Sequence, residues 1–246
     1  MAWFKDKLRS SFGFAQRALL GYEPSVYSFS QAGEDIQVRN YFYERLTKNT
    51  GGTYVDIGAY HPYLLSNTYY LYRCGWRGIN IDPRPGSKAL FDRFRPDDVN
   101  LELAVSSEDG NVEYFFSNES PTLNTIKQEH IERLGMSSKF VGTISIPTRR
   151  LDSILAEHFP NDFKIDFLTL DVEGGEMEVL NSLDWGLYSF GLIAVEVLGE
   201  SLDEIKANPV SRYLSELGYV LFTRNILATP GVNTVFFQGP GGKLQD

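Results

Sequence analysis

The sequence predicts a doubly wound α/β sheet, mostly parallel, that ends in an antiparallel hairpin. Three observations predict it. From residue 53 onward, short apolar runs of strand length alternate with helical segments. The central runs read as buried on both faces, as strands covered by helices do. The last two runs are separated only by Arg224 to Asn233, with Pro230-Gly231 inside. That stretch is too short for a crossover helix with its loops, so those strands pair as a hairpin.

Taken in order, residues 34–46 read as a helix that enters the domain. Strands are expected at Thr53–Ile57, Gly78–Ile81, Asn100–Ala104, Phe163–Leu170, Leu192–Val197, Tyr219–Thr223 and Thr234–Phe237. Helices are expected near 66–74, 86–94, 151–158, 175–183 and 203–217. An insertion at about 106–150 separates the third and fourth core strands. It holds two further strands, Val112–Phe116 and Thr143–Pro147, a Pro-Thr-Leu-Asn-Thr segment and a short helix. Insertions at this edge of such a sheet commonly build the substrate side of a site. Residues 29–246 thus form one α/β domain, preceded by an N-terminal helix and linker over 1–28.

Composition narrows the function. The chain has 246 residues, 42% of them hydrophobic, enough for one sizeable core. The net charge of -9 repels phosphate backbones, so nucleic acid is not expected as a partner. A single cysteine, Cys74, excludes an intramolecular disulfide and a zinc site built from several thiolates. No run approaches the roughly 20 apolar residues of a membrane span. The basic N-terminus is interrupted by Gln16 and Arg17 and does not read as a cleaved signal, so a cytoplasmic protein is expected.

Three motifs carry chemistry. In Tyr54-Val55-Asp56-Ile57-Gly58-Ala59-Tyr60-His61-Pro62 a strand carries Asp56 near its end and turns through Gly58, which allows positive φ and close approach to a ligand. On its own this is also a plain strand-to-helix turn. About 25 residues on, the strand Gly78–Ile81 leads into Asp82-Pro83, where a carboxylate can accept from both hydroxyls of a ribose. Capping the helix near Pro85-Gly86 is the other reading of Asp82. The full Gly-x-Gly-x-x-Gly pattern is missing, which favours a nucleoside without phosphates over a dinucleotide. In the third motif, Leu168 to Glu176, apolar strand residues lead into Asp171 and Glu173, and a helix begins after Gly175. The helix dipole accounts for Glu176 and partly for Glu173. Glu196 lies near the tip of the next strand. Carboxylates gathered at adjacent strand tips can polarise a hydroxyl or hold a hard divalent cation such as Mg.

With these motifs in hand, the chain resembles the FkbM family of S-adenosylmethionine-dependent methyltransferases. The likeness runs from Ser30-Gln31-Ala32-Gly33-Glu34-Asp35 to about Phe237. Its landmarks are Val55–Pro62, Ser66-Asn67-Thr68, Gly75–Asp82, Leu123-Asn124-Thr125 and Asp171-Val172-Glu173-Gly174, in family order. One departure is Gly175, where the family commonly has Ala or a larger residue. The resemblance implies a class I methyltransferase fold with strand order 3-2-1-4-5-7-6. It implies O-methylation of a hydroxyl on a sugar or polysaccharide, or on a secondary metabolite. It further implies that Asp56, Gly58 and Ala59 line the methionine part of the cofactor and that Asp82, followed by Pro83, holds the ribose. Ala104 and Val105 would border the adenine, and Gln31 and Asp35 would cover the amino-acid end. Catalysis is expected at Asp171, with Glu173, Glu196 and His61 close by. Asp171 and Glu196 are the candidate metal ligands, and Asn124 and Thr125 the candidate contacts to a hydroxylated acceptor. For His61 a structural hydrogen bond is the competing reading. His130 and His158 read as surface residues on helices. A cofactor-binding scaffold without catalysis and a nucleotide-dependent dehydrogenase or epimerase are the alternatives from other classes.

Residues 2–20 read as an amphipathic helix, with Phe4, Leu8, Phe12, Ala15 and Leu19 on one face and Trp3 beside it. Lys5, Lys7, Arg9 and Arg17 against Asp6 give this segment a charge of +3 within an acidic chain. Such a helix docks either on protein, including a second subunit, or reversibly on the inner face of a membrane. Flotation with anionic liposomes separates the two. Docking on protein is expected to leave the full chain and a chain lacking residues 1–22 behaving alike, whereas lipid contact floats the full chain alone.

Overall fold

The computed structural model describes residues 27–117 and 140–240. The entry helix is divided into α1 (Glu34–Tyr41) and α2 (Tyr43–Lys48) rather than continuous over 34–46. The chain turns at Phe42 (φ -97, ψ 19), whose buried ring packs edge-on against Trp76 at 4.8 Å. Burying that ring outweighs continuing the helix.

The sheet then builds in the expected alternation. β1 (Thr53–Ile57) is followed by α3 (Tyr69–Arg73), β2 (Arg77–Ile81), α4 (Ser87–Phe94) and β3 (Val99–Leu101). The third strand is shorter than predicted. Glu102 turns out of the sheet, and its carboxylate accepts from Gly86 N at 2.9 Å and Lys88 N at 3.2 Å, at the start of α4. Ala104 therefore belongs to β4 (Ala104–Val105), which pairs with the insertion instead. The insertion's strands, β5 (Gly110–Ser117) and β6 (Phe140–Arg149), form an antiparallel pair, and a three-stranded sheet runs β4-β6-β5. The short helix, Asn124, Thr125 and His130 lie outside the described residues, as do residues 2–20.

The second half adds α5 (Leu151–His158), β7 (Phe163–Leu170), α6 (Glu176–Asn181) and β8 (Tyr188–Leu198). The predicted helix 203–217 is divided into α7 (Leu202–Ala207) and α8 (Pro209–Glu216). Pro209 cannot continue α7 because it lacks an N–H, and Asn208 caps the new helix by accepting from Val210 N at 3.0 Å. Then β9 (Val220–Ile226) and β10 (Val232–Gln238) close the fold as an antiparallel hairpin. The seven-stranded order is β3-β2-β1-β7-β8-β10-β9, parallel from β3 through β8, with β10 antiparallel to both its neighbours. Counted within this sheet alone, the order is 3-2-1-4-5-7-6.

Successive strand residues face opposite sides, and the core is divided accordingly. One face carries Val55, Ile79, Leu168, Leu170, Ile193 and Val195 against α5, α6 and α8. The other carries Tyr54, Phe167, Leu192 and Phe236 against Val38, Leu71 and Trp76.

A polar cluster interrupts this second face. Arg95, with no exposed surface, donates to Asp98 at 2.8 Å, to Thr68 Oγ1 at 3.0 Å and to Tyr54 Oη at 2.6 Å. Asp98 also accepts from Gly78 N, Tyr54 Oη and Asn80 Nδ2. Asn80 donates on to Asn100, which holds the Arg95 carbonyl. Gly78 leaves room for this arrangement: a Cβ there would stand 2.2 Å from Tyr54. Removing one partner of a buried ion pair strands the other. Arg95→Ala is therefore expected to lower stability by ~3–5 kcal/mol in urea unfolding. Arg77→Ala, at the exposed Arg77–Asp97 pair, is expected to change it by less than ~1 kcal/mol.

Candidate active site

The carboxyl ends of β1, β2 and β7 open into one cleft. Its walls include Gln31, Asp56, Gly58, Ala59, Asp82 and Pro83. Ala104, Val105, Asp171 and Glu173 complete the predicted set that lines it. Residues from Gln31 to Glu173 thus meet at the strand ends, where parallel sheets of this type bind ligands.

The floor is set by backbone contact. Gly58 has φ +79, and a Cβ there would sit 1.7 Å from the carbonyl oxygen of Asp171. Only glycine satisfies both conditions. Gly58 N and Ala59 N donate to Ile81 O, which ties the turn to β2, and Asp171 N donates to Ile57 O, which ties it to β7.

Asp56 and Asp82 stand on adjacent strands. Thr68 Oγ1 donates to Asp56 at 2.5 Å. Burial pushes the Asp56 carboxyl up to about 6, against the opposing pull of Arg95 and of the Thr68 hydroxyl. Asp82 accepts from Tyr60 N at 2.8 Å and Arg84 N at 3.0 Å. Neither donor belongs to α4, at whose start the N–H groups of Gly86 and Lys88 go to Glu102, so Asp82 does not cap that helix; it shapes the loop at Tyr60 while its surface remains part of the cleft. Burial also raises Asp82 to about 6, partly offset by Arg84 and the two N–H donors.

Acids crowd the tips of β7 and β8. Leu170 pairs with Val195, so Asp171 and Glu196 follow side by side. The carboxylate oxygens of Asp171, Glu173 and Glu196 lie within 4.8 Å of one another. Asp171 faces the open cleft, yet protein surrounds that cleft closely enough that burial is the first cause raising its pKa, with repulsion from Glu173 and Glu176 adding to it. Glu196 is raised by burial first and then by Asp171. The two carboxyls are hydrogen-bonded to one another, and burial with mutual repulsion pushes both above the usual carboxyl range. Glu173 adopts φ +55, an uncommon conformation for a side-chain-bearing residue. Glu176, ascribed to the helix dipole from sequence, accepts from Val172 N and Gly174 N and so shapes the turn itself.

Three predicted residues, Asp35, His61 and Glu196, do not line the cleft, and Glu196 is instead hydrogen-bonded to Asp171, which does. Asp35 is fully buried, and its carboxylate accepts from Ser28 Oγ, Phe29 N and Ser30 Oγ. It orders the loop that presents Gln31. Glu34 and Asn225 hold the same loop by bonds to Ala32. His61 takes the structural role: its Nδ1 accepts from Tyr63 N at 3.3 Å and Leu64 N at 3.2 Å. Burial and the nearby Arg84 lower its pKa, which favours the neutral ring that such acceptance needs.

Sequence reasoning assigned no role to other residues of the wall, notably Asn67, Thr169 and Tyr114. Asn67 Nδ2 donates to Thr169 Oγ1 at 2.9 Å. The signal for Thr169 was available, since it stands two residues before Asp171 on a strand and so shares its face. The signal for Asn67 was the Ser66-Asn67-Thr68 landmark.

A parallel sheet with this strand order, an antiparallel final strand and a nucleoside-sized cleft over its first strands defines a class I methyltransferase. The chain belongs to the FkbM methyltransferase family, whose methyltransferase FkbM domain matches residues 56–221. It is an S-adenosylmethionine-dependent methyltransferase. No curated protein matches it. Among solved structures it is similar to a TehB-like SAM-dependent methyltransferase from Corynebacterium glutamicum (11% identity, 96% of this chain and 99% of that one, TM-score 0.40). It is also similar to a precorrin-6y C5,15-methyltransferase from Geobacter metallireducens (11%, 80% and 85%, TM-score 0.38). A third is the 1,6-didemethyltoxoflavin-N1-methyltransferase of Burkholderia thailandensis, with S-adenosylhomocysteine bound (12%, 88% and 92%, TM-score 0.37). Among the described residues no helix is long and apolar enough to cross a membrane.

The raised pKa of Asp82 has opposite consequences for the empty and the loaded protein. Without ligand the protonated carboxyl suits the fold, so its stability contribution is full below the ordinary carboxyl range and is lost as pH rises through about 6. A ribose diol needs the ionised acceptor. The affinity for S-adenosylhomocysteine is expected to fall several-fold as pH drops from 7.5 to 5 in calorimetry. Asp82→Asn is expected to bind about tenfold more weakly at pH 7.5, with that pH dependence flattened.

Proposed function

We propose that this methyltransferase acts on oxygen, methylating a hydroxyl of a sugar or polysaccharide. The observation that carries the reading is Asp171, which lines the cleft together with Glu173 and is hydrogen-bonded to Glu196 at the neighbouring strand tip. A neutral hydroxyl is a weak nucleophile, and a base at the acceptor contributes about 10²–10⁴ in rate. S-adenosylmethionine, when bound, supplies a methyl group already activated on a positively charged sulfur. Asp82 and the loop through Gly58 and Ala59 would hold the nucleoside and fix the methyl's direction. Asp171, backed by Glu196, would take the hydroxyl proton as the acceptor oxygen bonds to the methyl carbon. The bound cofactor would supply the methyl carbon and keep the electron pair of its carbon–sulfur bond, so the proton would pass to Asp171 and the product would be S-adenosylhomocysteine.

A polyhydroxylated acceptor suits carboxylates that can accept several hydroxyl protons at once. Tyr114 of β5 reaches the cleft wall, so the insertion contributes to the site and is read as its acceptor side, with Asn124 and Thr125 offering polar contacts. A secondary-metabolite hydroxyl is the second reading of the acceptor. The mutual spacing of Asp171, Glu173 and Glu196 also fits a divalent cation such as Mg, which takes oxygen ligands and would polarise the hydroxyl.

Asp171→Asn keeps the shape and removes the charge. With a genuine sugar acceptor, kcat is expected to fall at least about 10²-fold while S-adenosylhomocysteine affinity stays near wild type. Turnover at the wild-type rate would remove Asp171 as base and as metal ligand. Loss of wild-type activity with a chelator, restored by magnesium, would select the cation.

A further inference from the structure

The landmark Ser66-Asn67-Thr68 places Ser66 and Asn67 on the cleft wall with Thr68 buried beside them, and Ser66 and Thr68 have structural duties. Ser66 Oγ accepts from Tyr69 N at 3.1 Å, at the start of α3. Thr68 is fully buried between Asp56 and Arg95. Asn67 differs. It lines the cleft, and its one bond is the donation from Nδ2 to Thr169 Oγ1. That bond fixes the amide plane. Its Oδ1, an acceptor with two lone pairs, has no partner among the described residues.

The position of this acceptor along the cleft is set by strand order. Ala104 and Val105 lie beyond β3, Asp82 ends β2, and Gly58 follows β1. Thr169, on β7, is the register partner of Asp56. A ligand laid across these ends with its adenine by Ala104 and its ribose by Asp82 brings its opposite end to β1 and β7. In S-adenosylmethionine that end is an amino acid carrying an ammonium group. Asp56 faces the same region, but one of its oxygens is already occupied by Thr68.

We infer that Asn67, held by Thr169, is the cofactor-binding residue that receives the α-ammonium of S-adenosylmethionine through its Oδ1. The inference rests on the class I reading of the cleft and adds a discriminating contact to it. The amide also serves specificity: a nucleoside without the amino-acid chain gains nothing from Asn67.

The test compares S-adenosylhomocysteine with 5′-methylthioadenosine, which keeps the nucleoside and sulfur but lacks the amino-acid chain. Calorimetry is done on the full wild-type chain, Asn67→Ala and Asn67→Asp. Thermal melts establish that each variant is folded. Asn67→Ala is expected to weaken S-adenosylhomocysteine about tenfold or more and to change 5′-methylthioadenosine by less than about twofold. Asn67→Asp, which keeps an acceptor for the ammonium, is expected to recover much of the loss. Equal losses on both ligands, or none on S-adenosylhomocysteine, would overturn the assignment while leaving the cofactor reading intact. Failure of the wild type to bind either ligand would overturn both. If Asn67→Ala does not fold, the Asp variant decides by the same comparison: a loss equal on both ligands refutes the assignment, and near-wild-type S-adenosylhomocysteine binding supports it.

Discussion

The guanidinium of Arg95 is the interaction on which the cofactor side of the fold depends. It lies wholly inside the protein, beneath β1 and β2, where it donates to Asp98, Thr68 and Tyr54, and Asp98 accepts in turn from Gly78 N, Tyr54 Oη and Asn80 Nδ2. A charge in that position is tolerated because its own donors and its counter-ion are engaged. The arrangement reaches the cleft through a single hydroxyl, that of Thr68, which bonds Arg95 on one side and Asp56 on the other. The sheet's interior and the ligand-facing carboxylate therefore belong to one connected network. Its rigidity positions the turn through Gly58 and, through Ile81, the loop at Asp82.

At the opposite side of the cleft the chemistry is arranged by crowding. Asp171, Glu173, Glu176, Glu196 and Glu34 act on one another electrostatically, with repulsion and burial together opposing full ionisation. Glu176 is drawn off by backbone N–H groups and Glu34 by the loop at Ala32. The remaining carboxyls form a poised acidic group beside the cleft. The same crowding suits a ligand with positive charge, and S-adenosylmethionine carries its charge on the sulfur next to the transferable methyl.

Much of this was legible in the sequence because parallel sheets write their interior plainly. The runs Thr53–Ile57 and Phe163–Leu170 appear in the structure with the bounds read from sequence. The ten residues from Arg224 to Asn233 sufficed to predict the hairpin. The motifs at Gly58, Asp82 and Asp171 sit at strand tips, where local pattern and ligand geometry coincide. What escaped was set by tertiary partners. Phe42 breaks a helix to reach Trp76, and Glu102 ends a strand to cap α4; neither partner is near in sequence. Asp35 and His61 carry chemically capable groups that are engaged instead by near neighbours in sequence, Ser28 to Ser30 for Asp35 and the N–H groups of Tyr63 and Leu64 for His61. Arg95 and Asp98 gave no signal, because a charged pair in sequence reads as surface.

The contact between Gly58 and Asp171 has a consequence for how this enzyme can vary. The turn at Gly58 and the backbone that carries Asp171 touch without an intervening side chain, so neither can shift while the other stays. A drift in one strand tip is a steric fault in the other. The strands β4, β5 and β6 share no strand with the main sheet, so a side-chain change there leaves this seam untouched. Backbone fit governs one part of the molecule and side-chain fit the other.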